Sequence, residues 1–600
     1  MDLIIFDYEV YKYDTLLGCI VVKDDKLDVF QTWDLKKMNV FYEMHKHSLW
    51  VGHNNDSYDN HILKYIIQGG KDVYKKSKSL INQKIRGKAN LDILVYDLMC
   101  CRYYSLKMTE LLVGKAIHTT DVDFDIDRPL TVREKQLVED YNYDDLEQTY
   151  MNFLELKDQM MLRLNLLSEF HIDKSYFTAT EAKLATLALG AKQIPGLEDE
   201  YLPPIVYDTL QVKNKDVMNF YLSEGFRKGQ NIKVMLCGVE HTMGAGGIHA
   251  AKKKYHQTNF LYLDVSGYYN LVMINYDLLP RTIPQKGKDL YKYMYEQQLL
   301  MKGKPEMTAK RIVYKTILLS VFGASMNEYT DFYDPQVGSL ITIVGQMFIV
   351  DLLEKLDGKV DLIQSNTDGI MVKPLPGYTD EDILAIVKEW CNRTGFVIKP
   401  KKIDKIFQRD VNCYCYTQGD NWEVKGDAFT GAFSMSSPVL HKMYERKEPA
   451  VITMAVKQFF IDNKSPEQTV EEYKDKLTFF QLLCKKGSYE YCEYETTNLL
   501  TGEKTSTRIG DLNRAFAFKD ENSTNVIKKY KHDGKTLKCS KLPNMPDNYF
   551  IYNDEITSNE TIQNLQSKID YDWYIDRIYK RIQEFLPQIK EVTLWNNMII

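Results

Sequence analysis

The acidic residues near the N-terminus have the types and spacing for metal-dependent phosphate chemistry. Asp7 and Glu9 end the apolar run LIIFDYEVY, and alternate residues of a strand share one face. Asp59 lies at the start of a predicted helix in LWVGHNNDSYDNHILKYII. Asp145 follows Tyr141 by four residues in a helical stretch, which places both on one helix face. Carboxylates are the oxygen ligands that Mg²⁺ prefers. Each piece alone also fits an ordinary strand edge, turn or helix surface.

A second group of such residues lies in the middle of the chain. An apolar strand delivers Asp264 in NFLYLDVSGYYN, and Asp368 lies in VDLIQSNTDGIMVKP, where two apolar runs flank a predicted hairpin turn. Arg311 and Lys315 stand four residues apart on a predicted helix and share a face. A plain turn and a solvated helix surface are the alternatives. Two divalent ions about 4 Å apart could serve either acidic group, activating a nucleophile and stabilising a leaving oxygen.

Composition sets limits on the whole chain. A length of 600 residues predicts two to four domains. The net charge is −6, but lysines cluster locally, as in Lys252–Lys254 and between residues 301 and 325 and residues 396 and 410. The ten cysteines lack zinc or disulfide spacing, which favours reduced thiols in the cytoplasm. The sequence contains no uninterrupted run of about 18 apolar residues, so a membrane span is not predicted.

Taken together and in order, the N-terminal pieces resemble the three exonuclease motifs of proofreading family B DNA polymerases, DxE, NxxYD and YxxxD. The resemblance implies that four carboxylates hold two metal ions: Asp7, Glu9, Asp59 and Asp145. It also implies that Tyr141 orients the attacking water and that Asn55 contacts the single-stranded primer end.

The segment DVSGYYN resembles motif A of the same family, DxxSLYPS. The resemblance implies that Asp264 is a metal ligand, that Val265 contributes its backbone carbonyl, and that the Tyr269 ring excludes a 2′-hydroxyl. Gly267 and Asn270 depart from the family pattern.

The segment KTILLSVFG resembles motif B, KxxxNSxYG. Lys315 and Arg311 would neutralise the triphosphate of a dNTP, and Phe322, followed by Gly323, would pack on the nascent base pair. Leu319 stands where the family has Asn, so a hydrogen-bonding group is missing.

The segment QSNTDG resembles motif C, YxDTDS. Asp368 matches the second, metal-binding aspartate, and Asn366 replaces the first. The glycine-rich stretch with Gly246 and Gly247 resembles the linker that lies against template DNA.

Further along, Tyr414, Lys425 and Gly426 match the KxY and KxKG-like segments that grip the primer. Arg409 is predicted to supply the charge of the missing lysine there.

The resemblance, closest to small bacteriophage-type enzymes, implies an α/β multidomain fold with an RNase H-like exonuclease domain and a right-hand polymerase of palm, fingers and thumb. The predicted divisions are exonuclease 1–160, linker 161–254, palm 255–285, fingers 286–330, palm 331–435 and thumb 436–600.

The implied function is DNA-dependent DNA synthesis with 3′–5′ proofreading, for a phage or mobile-element genome. Expected cofactors are two Mg²⁺ per active site, with Mn²⁺ as a substitute. Expected partners are primer-template DNA, dNTPs and replication accessory proteins, and no membrane association is expected. The protein is expected to act as a monomer in the host cytoplasm. The Leu319 and Asn366 departures favour one alternative, a standalone 3′–5′ exonuclease with a degenerate polymerase body. A non-catalytic nucleic-acid-binding scaffold is a second alternative.

Overall fold

The chain forms two compact units. The computed structural model describes residues 2–83, 87–101, 104–117, 119–198, 207–222, 231–244, 246–429, 448–534, 536–542 and 545–586. Unit 1 comprises residues 1–180, 433–451 and 470–574, and unit 2 comprises residues 181–432, 452–469 and 575–600. Both units combine helices with sheets, so the predicted mixed α/β, multidomain class is confirmed.

Unit 1 opens with a five-stranded sheet. Its strands are β1 (Leu3–Val10), β2 (Thr15–Lys23), β3 (Lys26–Thr32), β4 (Leu49–Gly52) and β5 (Leu94–Asp97). They lie in the order β3-β2-β1-β4-β5. The first three pair antiparallel, and β4 and β5 continue the sheet in parallel. The central strand β1 has mostly apolar side chains, which suits a sheet covered by helices. Phe6 packs in this core against Trp50.

Among the described residues, five helices belong to this N-terminal part of unit 1. They are α1 (Leu35–Met44), α2 (Asp59–Ile67), α3 (Val73–Gln83), α4 (Leu106–Leu112) and α5 (Val132–Glu169). A capping box between Thr131 and Glu134 starts α5, which packs on β1 and β2. The boundary predicted at residue 160 falls inside α5, because the helical pattern runs on to Glu169 without a breaking residue.

Unit 2 is built on a nine-stranded sheet in which every described pairing is antiparallel. Its strands are β6 (Ile232–Leu236), β7 (Val239–Gly244), β8 (Gly247–Ala251), β9 (Tyr255–Val265), β10 (Val360–Asn366), β11 (Gly369–Pro374), β12 (Ile398–Asp410), β13 (Cys413–Gln418) and β14 (Asn421–Lys425). Their order is β14-β13-β12-β9-β11-β10-β8-β7-β6. The two predicted palm segments therefore contribute to one sheet, together with strands from the predicted linker.

Where the chain between residues 181 and 473 is described, its helices are α6 (Glu181–Leu189), α7 (Lys215–Leu222), α8 (Tyr268–Asn275), α9 (Gln285–Leu300), α10 (Thr308–Ser325), α11 (Pro335–Leu356), α12 (Asp380–Thr394), α13 (Ala450–Asp462) and α14 (Pro466–Tyr473). By length and composition α11 could cross a membrane, but 89% of its most apolar stretch is buried inside the protein. It is the central core helix of unit 2.

The remaining strands form two small sheets in unit 1. They are β15 (Leu482–Lys485), β16 (Tyr491–Asn498), β17 (Lys504–Ile509), β18 (Leu512–Ala517), β19 (Ser523–Asp533), β20 (Thr536–Lys541) and β21 (Tyr549–Ile551). The sheet orders are β15-β18-β21 and β17-β16-β19-β20. Helices α15 (Asn559–Gln566) and α16 (Tyr571–Gln583) follow.

The segment 436–600, predicted as a single thumb, is divided between the two units. Residues 470–574 belong with the N-terminal sheet because their backbone and side chains bond to the chain around α4, as in the hydrogen bond from Ile556 N–H to the Gly114 carbonyl at 3.0 Å. Parts of that prediction, residues 436–447 and 587–600, lie outside the described residues.

Candidate active sites

Three predicted metal ligands of unit 1 lie close enough to share a cation. Asp7 and Glu9 project from one face of β1, and Asp145 lies on α5, which packs against that strand. Each offers a carboxylate oxygen, and these oxygens lie within 4.8 Å of one another. Carboxylate oxygens at this spacing suit Mg²⁺ or Mn²⁺.

Asp59, on α2, is the fourth carboxylate of this group, which we call the acidic cluster (Asp7, Glu9, Asp59 and Asp145). It is the first residue of that helix and is buried. Its Oδ1 accepts the backbone N–H of Tyr8, the residue between Asp7 and Glu9, at 3.2 Å. The bond ties the start of α2 to β1, so the structure brings together all four carboxylates that the sequence predicts.

The acidic cluster holds more negative charge than its surroundings favour. Burial, and then the charges of Asp59, Glu9 and Asp145, raise the pKa of Asp7 well above its usual value. The pKa of Glu9 is raised by burial and by Asp145 and Asp59. Burial likewise raises the pKa of Asp59 to about 7. Carboxylates held together away from water resist ionisation, and a divalent cation reverses that preference. The donor set and its charge therefore fit a divalent metal.

Tyr141 lies one helical turn before Asp145, and its hydroxyl is hydrogen-bonded to that carboxylate. Burial and the charges of Asp145 and Glu9 raise the pKa of the phenol, which stays protonated at neutral pH. A protonated phenol both donates and accepts hydrogen bonds. Tyr141 is thus beside the acidic cluster, where it can orient a water molecule.

Asn55 differs from its predicted role. Its side chain is 0% exposed. Its Nδ2 donates to Asn60 Oδ1 at 3.1 Å, inside the turn that begins α2. A contact with a single-stranded end requires an exposed amide, and this turn buries the amide instead. The structure therefore gives Asn55 a role in holding the turn.

Sequence reasoning missed Asn142, which supports Asp7 from α5. Its Nδ2 donates to Asp7 Oδ2 at 3.0 Å. Gly18 faces Asp7 on β2, and a Cβ at Gly18 would lie 1.7 Å from Asn142 Oδ1. The glycine leaves the space that Asn142 needs to reach the carboxylate. A glycine inside a strand signals this kind of close approach.

Asp97 was also missed. It ends β5, next to Gly52 of β4, and is buried. Its carboxylate accepts the backbone N–H groups of Asn54 at 2.9 Å, Asp56 at 3.0 Å and Met99 at 2.8 Å. It holds the turn that precedes α2 and so positions Asp59. The signal was present in LDILVYD, an apolar strand that ends in an aspartate, as around Asp7.

In unit 2, strand pairing places Asp264 beside Asp368. Strands β9 and β11 run antiparallel, with Gly369 directly opposite Asp264. The Val265 N–H donates to the Asp368 carbonyl at 2.9 Å. The tight turn from β10 to β11 therefore carries Asp368 next to the end of β9. Val265 itself is buried, so only its backbone can contribute to the site.

The charge of Asp368 acts on the Asp264 carboxylate. Burial, followed by the charge of Asp368, raises the pKa of Asp264. The Tyr262 hydroxyl donates to Asp264 Oδ1 at 3.3 Å. Asp368 is exposed at the tip of the turn. Two neighbouring carboxylates, one half-buried and one open to solvent, also fit a divalent cation.

A cavity of about 500 Å³ opens beside Asp368. Its walls come from the glycine-rich turn, α8, α10, α11 and the strands around the β10–β11 turn. The lining residues are Gly246, His249, Tyr269, Phe322, Met326, Ser339, Thr342, Asn366, Thr367, Asp368, Asn412 and Lys425. Five of the predicted site residues thus share one cavity with polar and aromatic walls.

Two aromatic rings form one wall of this cavity. The Tyr269 and Phe322 rings are stacked, with centroids 4.0 Å apart and an interplanar angle of 19°. The Tyr269 hydroxyl is hydrogen-bonded to Thr367, and burial and Asp368 raise its pKa. Gly267 begins α8 with a left-handed backbone, φ 64°, which allows the sharp turn from β9 that brings Tyr269 here.

Helix α10 presents an open face with Lys315, Leu319 and Gly323 exposed, in line with Phe322. Lys315 makes no ion pair with any residue that the structure describes, so its charge is available to an anion. Arg311 instead donates from Nε to the Gln298 carbonyl on α9 at 3.3 Å.

The two predicted glycines of the β7–β8 turn have different surroundings. Gly246 is exposed and lines the cavity. Gly247 is buried at φ 117°, and a Cβ there would lie 2.8 Å from Thr367 Oγ1. Only glycine fits between the two turns at this position.

The predicted primer-gripping residues meet on β13 and β14. Tyr414 pairs with Lys425 across the strands, and the Lys425 Nζ lies 5.7 Å from the Tyr414 ring centroid. Gly426 has φ 96°, and a Cβ there would lie 2.2 Å from the Asn412 carbonyl oxygen. Lys425 also lines the cavity.

Arg409 does not offer the free charge that the sequence predicts. Its guanidinium forms ion pairs with Asp427 at 2.6 Å, Asp410 at 2.7 Å and Glu584 at 2.8 Å. Three carboxylates already neutralise it, so it joins β12 to the residues around it rather than presenting charge to a phosphate. The free cation nearest the cavity is Lys425, which makes no ion pair among the described residues.

His249, in contrast, lines the cavity without having been predicted. It lies on β8, hydrogen-bonded to Asn366, and burial lowers its pKa. No motif marks it, since a single histidine in a strand more often packs in a core.

Comparisons with known proteins find similarity among solved structures. No protein-family model matches the sequence, and no curated protein matches it. Among solved structures, the chain is similar to the family B DNA polymerase from the hyperthermophilic archaeon Pyrobaculum calidifontis. The TM-score is 0.43 and the sequence identity 14%, over 98% of this chain and 79% of that chain. A similarity at that score and identity does not by itself assign a family or an activity.

Proposed function

We propose that the chain is a DNA-directed DNA polymerase of the family B type with its own 3′–5′ proofreading exonuclease. The observation that carries the synthetic half is the antiparallel pairing of β9 with β11, which sets Asp264 against the turn that bears Asp368. The motif assignments require these two carboxylates to be neighbours, although Asp264 and Asp368 lie 104 positions apart in the sequence.

In the synthetic site, Asp264 and Asp368 would hold two Mg²⁺ ions, which lower the pKa of a primer 3′-hydroxyl and neutralise a leaving pyrophosphate. Lys315, on the open face of α10, offsets triphosphate charge. The stacked Tyr269 and Phe322 rings provide an apolar surface for a base and sugar. Lys425 lies where a primer phosphate can be bound without regard to sequence.

In the trimming site, Asp7, Glu9, Asp59 and Asp145 would hold a second pair of divalent ions, which supply a hydroxide and stabilise the leaving oxygen. Tyr141 orients the water through its hydroxyl. Asn142 keeps Asp7 in its rotamer, and Asp97 keeps the turn before Asp59 in place.

Finer features of the proposal rest on the sequence resemblance: a phage or mobile-element genome, Mn²⁺ as a substitute metal, replication accessory proteins, and a monomer acting in the host cytoplasm. The RNase H-like and right-hand descriptions of the two units are part of the same proposal.

Primer extension tests the proposal. With Mg²⁺ and dNTPs the protein should lengthen a 5′-labelled primer on a template, and without dNTPs it should shorten a single strand from the 3′ end. A chelator should stop both reactions. Trimming without any extension would favour the standalone exonuclease, which the replacement of an acid by buried Asn366 supports. Binding without either reaction would favour the scaffold.

A further inference from the structure

One of the strands after residue 470 carries a buried arginine, which is not among the residues of the proposed synthetic site. Arg514 lies on β18 and is 0% exposed. Its Nε donates to Gln481 Oε1 at 3.0 Å, and its Nη1 donates to the Asp554 carbonyl at 2.8 Å. Burial of a charged group is costly unless hydrogen bonds satisfy it, so this arrangement requires a definite partner.

That partner is the C-terminal end of α4. Arg514 Nη2 donates to the carbonyls of Leu111 at 3.0 Å and Lys115 at 2.7 Å. Gln481 Nε2 donates to the Leu112 carbonyl at 3.1 Å. The last carbonyls of a helix lack partners within the helix, and a cation there is favoured by the helix dipole. Arg514 thus caps α4 from a strand about 400 residues further along the chain.

Helix α4 also packs on α5, the helix that carries Asp145. Asn152 of α5 donates from Nδ2 to Thr109 Oγ1 at 3.1 Å. Glu110 is buried, and burial together with the charge of Asp145 raises its pKa to about 8. Lys107 lies on the same helix. The helix that Arg514 caps is therefore joined directly to α5, the helix that bears Asp145.

We propose that Arg514 is a positioning residue for the trimming site, and that the β15–β21 strands support 3′–5′ digestion. Fixing the end of α4 sets the distance of Glu110 and Lys107 from Asp145 and Glu9. The segment predicted from its position as a thumb then contributes to trimming through α4. The inference rests on the proposed exonuclease function of the acidic cluster.

The test compares Arg514→Gln with Arg514→Lys and with a control, Arg508→Gln. Arg508 lies on β17 of the same segment, is exposed, and stacks over the Tyr491 ring at 4.9 Å. The full-length proteins are assayed for single-strand digestion across a Mg²⁺ titration and for primer extension. Hydrogen exchange is measured at the amides of residues 106–117.

Loss of an outer support to a metal site typically costs about 10- to 100-fold. Arg514→Gln should therefore digest at least about 10-fold more slowly, need several-fold more Mg²⁺ for half-maximal rate, and exchange α4 amides faster. Extension should stay within about 2-fold, and Arg514→Lys should recover part of the loss because lysine keeps the charge. Arg508→Gln should match the parent in every measurement.

Three results would overturn the inference: unchanged Mg²⁺ dependence of digestion, an equal loss of extension, or faster α4 exchange with normal digestion. If Arg514→Gln does not fold, Gln481→Leu removes one acceptor and one helix-capping donor and is read by the same criteria. Equal digestion by the parent and Asp145→Asn would instead show that the proposed exonuclease itself is wrong.

Discussion

At the scale of single residues, the size of the Tyr269 ring is the feature of the cavity most directly tied to substrate choice. The ring is held in place by stacking on Phe322 and by the hydrogen bond between its hydroxyl group and Thr367. A ring held in this way cannot turn aside for a larger sugar. Its position therefore suits the exclusion of a 2′-hydroxyl.

Replacing this residue, Tyr269→Ala, should admit ribonucleotides. The ratio of kcat/KM for a dNTP to that for the matching ribonucleotide should fall by about 100-fold, because a removed steric barrier is worth that order of discrimination. The matched control is Tyr269→Phe, which keeps the ring and should keep the discrimination. Equal ratios in the parent and the alanine variant would remove the steric role.

Asp59 provides a test of charge in the acidic cluster. Its folded-state pKa of about 7 lies above the ordinary 3.8, so the folded protein binds a proton more readily than the unfolded chain does. Ionising this buried carboxyl group lowers the free energy of unfolding. This loss does not occur below pH 3.8, and it is complete above about pH 7.

Asp59→Asn should accordingly raise the free energy of unfolding of the metal-free protein above about pH 7, by roughly 2 kcal/mol, and leave it unchanged below about pH 4. The asparagine can still accept the Tyr8 N–H. Chemical denaturation across pH measures the effect. Added Mg²⁺ should stabilise the parent more than the variant, which keeps only three of the four carboxylates. A variant that is less stable than the parent at high pH would contradict the charge argument.

At the scale of secondary structure, the contact between the β7–β8 and β10–β11 turns sets the shape of the cavity. Gly247 is the point of contact, with its α-carbon facing Thr367. This close approach follows from the sheet order, which a local sequence pattern does not encode. The glycine-rich composition predicts a turn, while the partner of that turn emerges only from the fold.

Gly247→Ala should reduce primer extension by about 10-fold, because the added Cβ must push the turn that bears Asp368 out of place. Gly238→Ala is the control. Gly238 also has a left-handed backbone, φ 74°, but nothing lies within 4 Å of its added Cβ. Both variants incur about 1 kcal/mol of backbone strain, so only the first should lose extension, measured as the rate of single-nucleotide addition. Equal losses would mean that strain alone is responsible.

The sequence predicts elements better than it predicts their partners. The apolar strands that carry Asp7 and Asp264, the hairpin around Asp368 and the helix bearing Tyr141 and Asp145 all occur in the structure. Local periodicity and turn residues are enough for these elements. The burial of Asn55 and the ion pairs of Arg409 could not be predicted, because they depend on side chains distant in sequence, such as Glu584.

At the scale of the whole molecule, the two groups of carboxylates fall in separate compact units. The order of motifs along the chain predicts this separation. It does not predict that residues 470–574 belong with the N-terminal sheet, since the capping of α4 by Arg514 joins residues about 400 positions apart. Contacts between residues so distant in sequence are not encoded in the order of the motifs.

The central claim is that one unit joins nucleotides and the other removes them, each through its own carboxylates. The most direct measurement follows a 5′-labelled primer–template in a single reaction with Mg²⁺ and dNTPs, using the parent, Asp368→Asn and Asp145→Asn. The account predicts that Asp368→Asn only shortens the primer and that Asp145→Asn only lengthens it, including past a mismatched 3′ end that the parent removes first. Extension that survives Asp368→Asn, or trimming that survives Asp145→Asn, would contradict it.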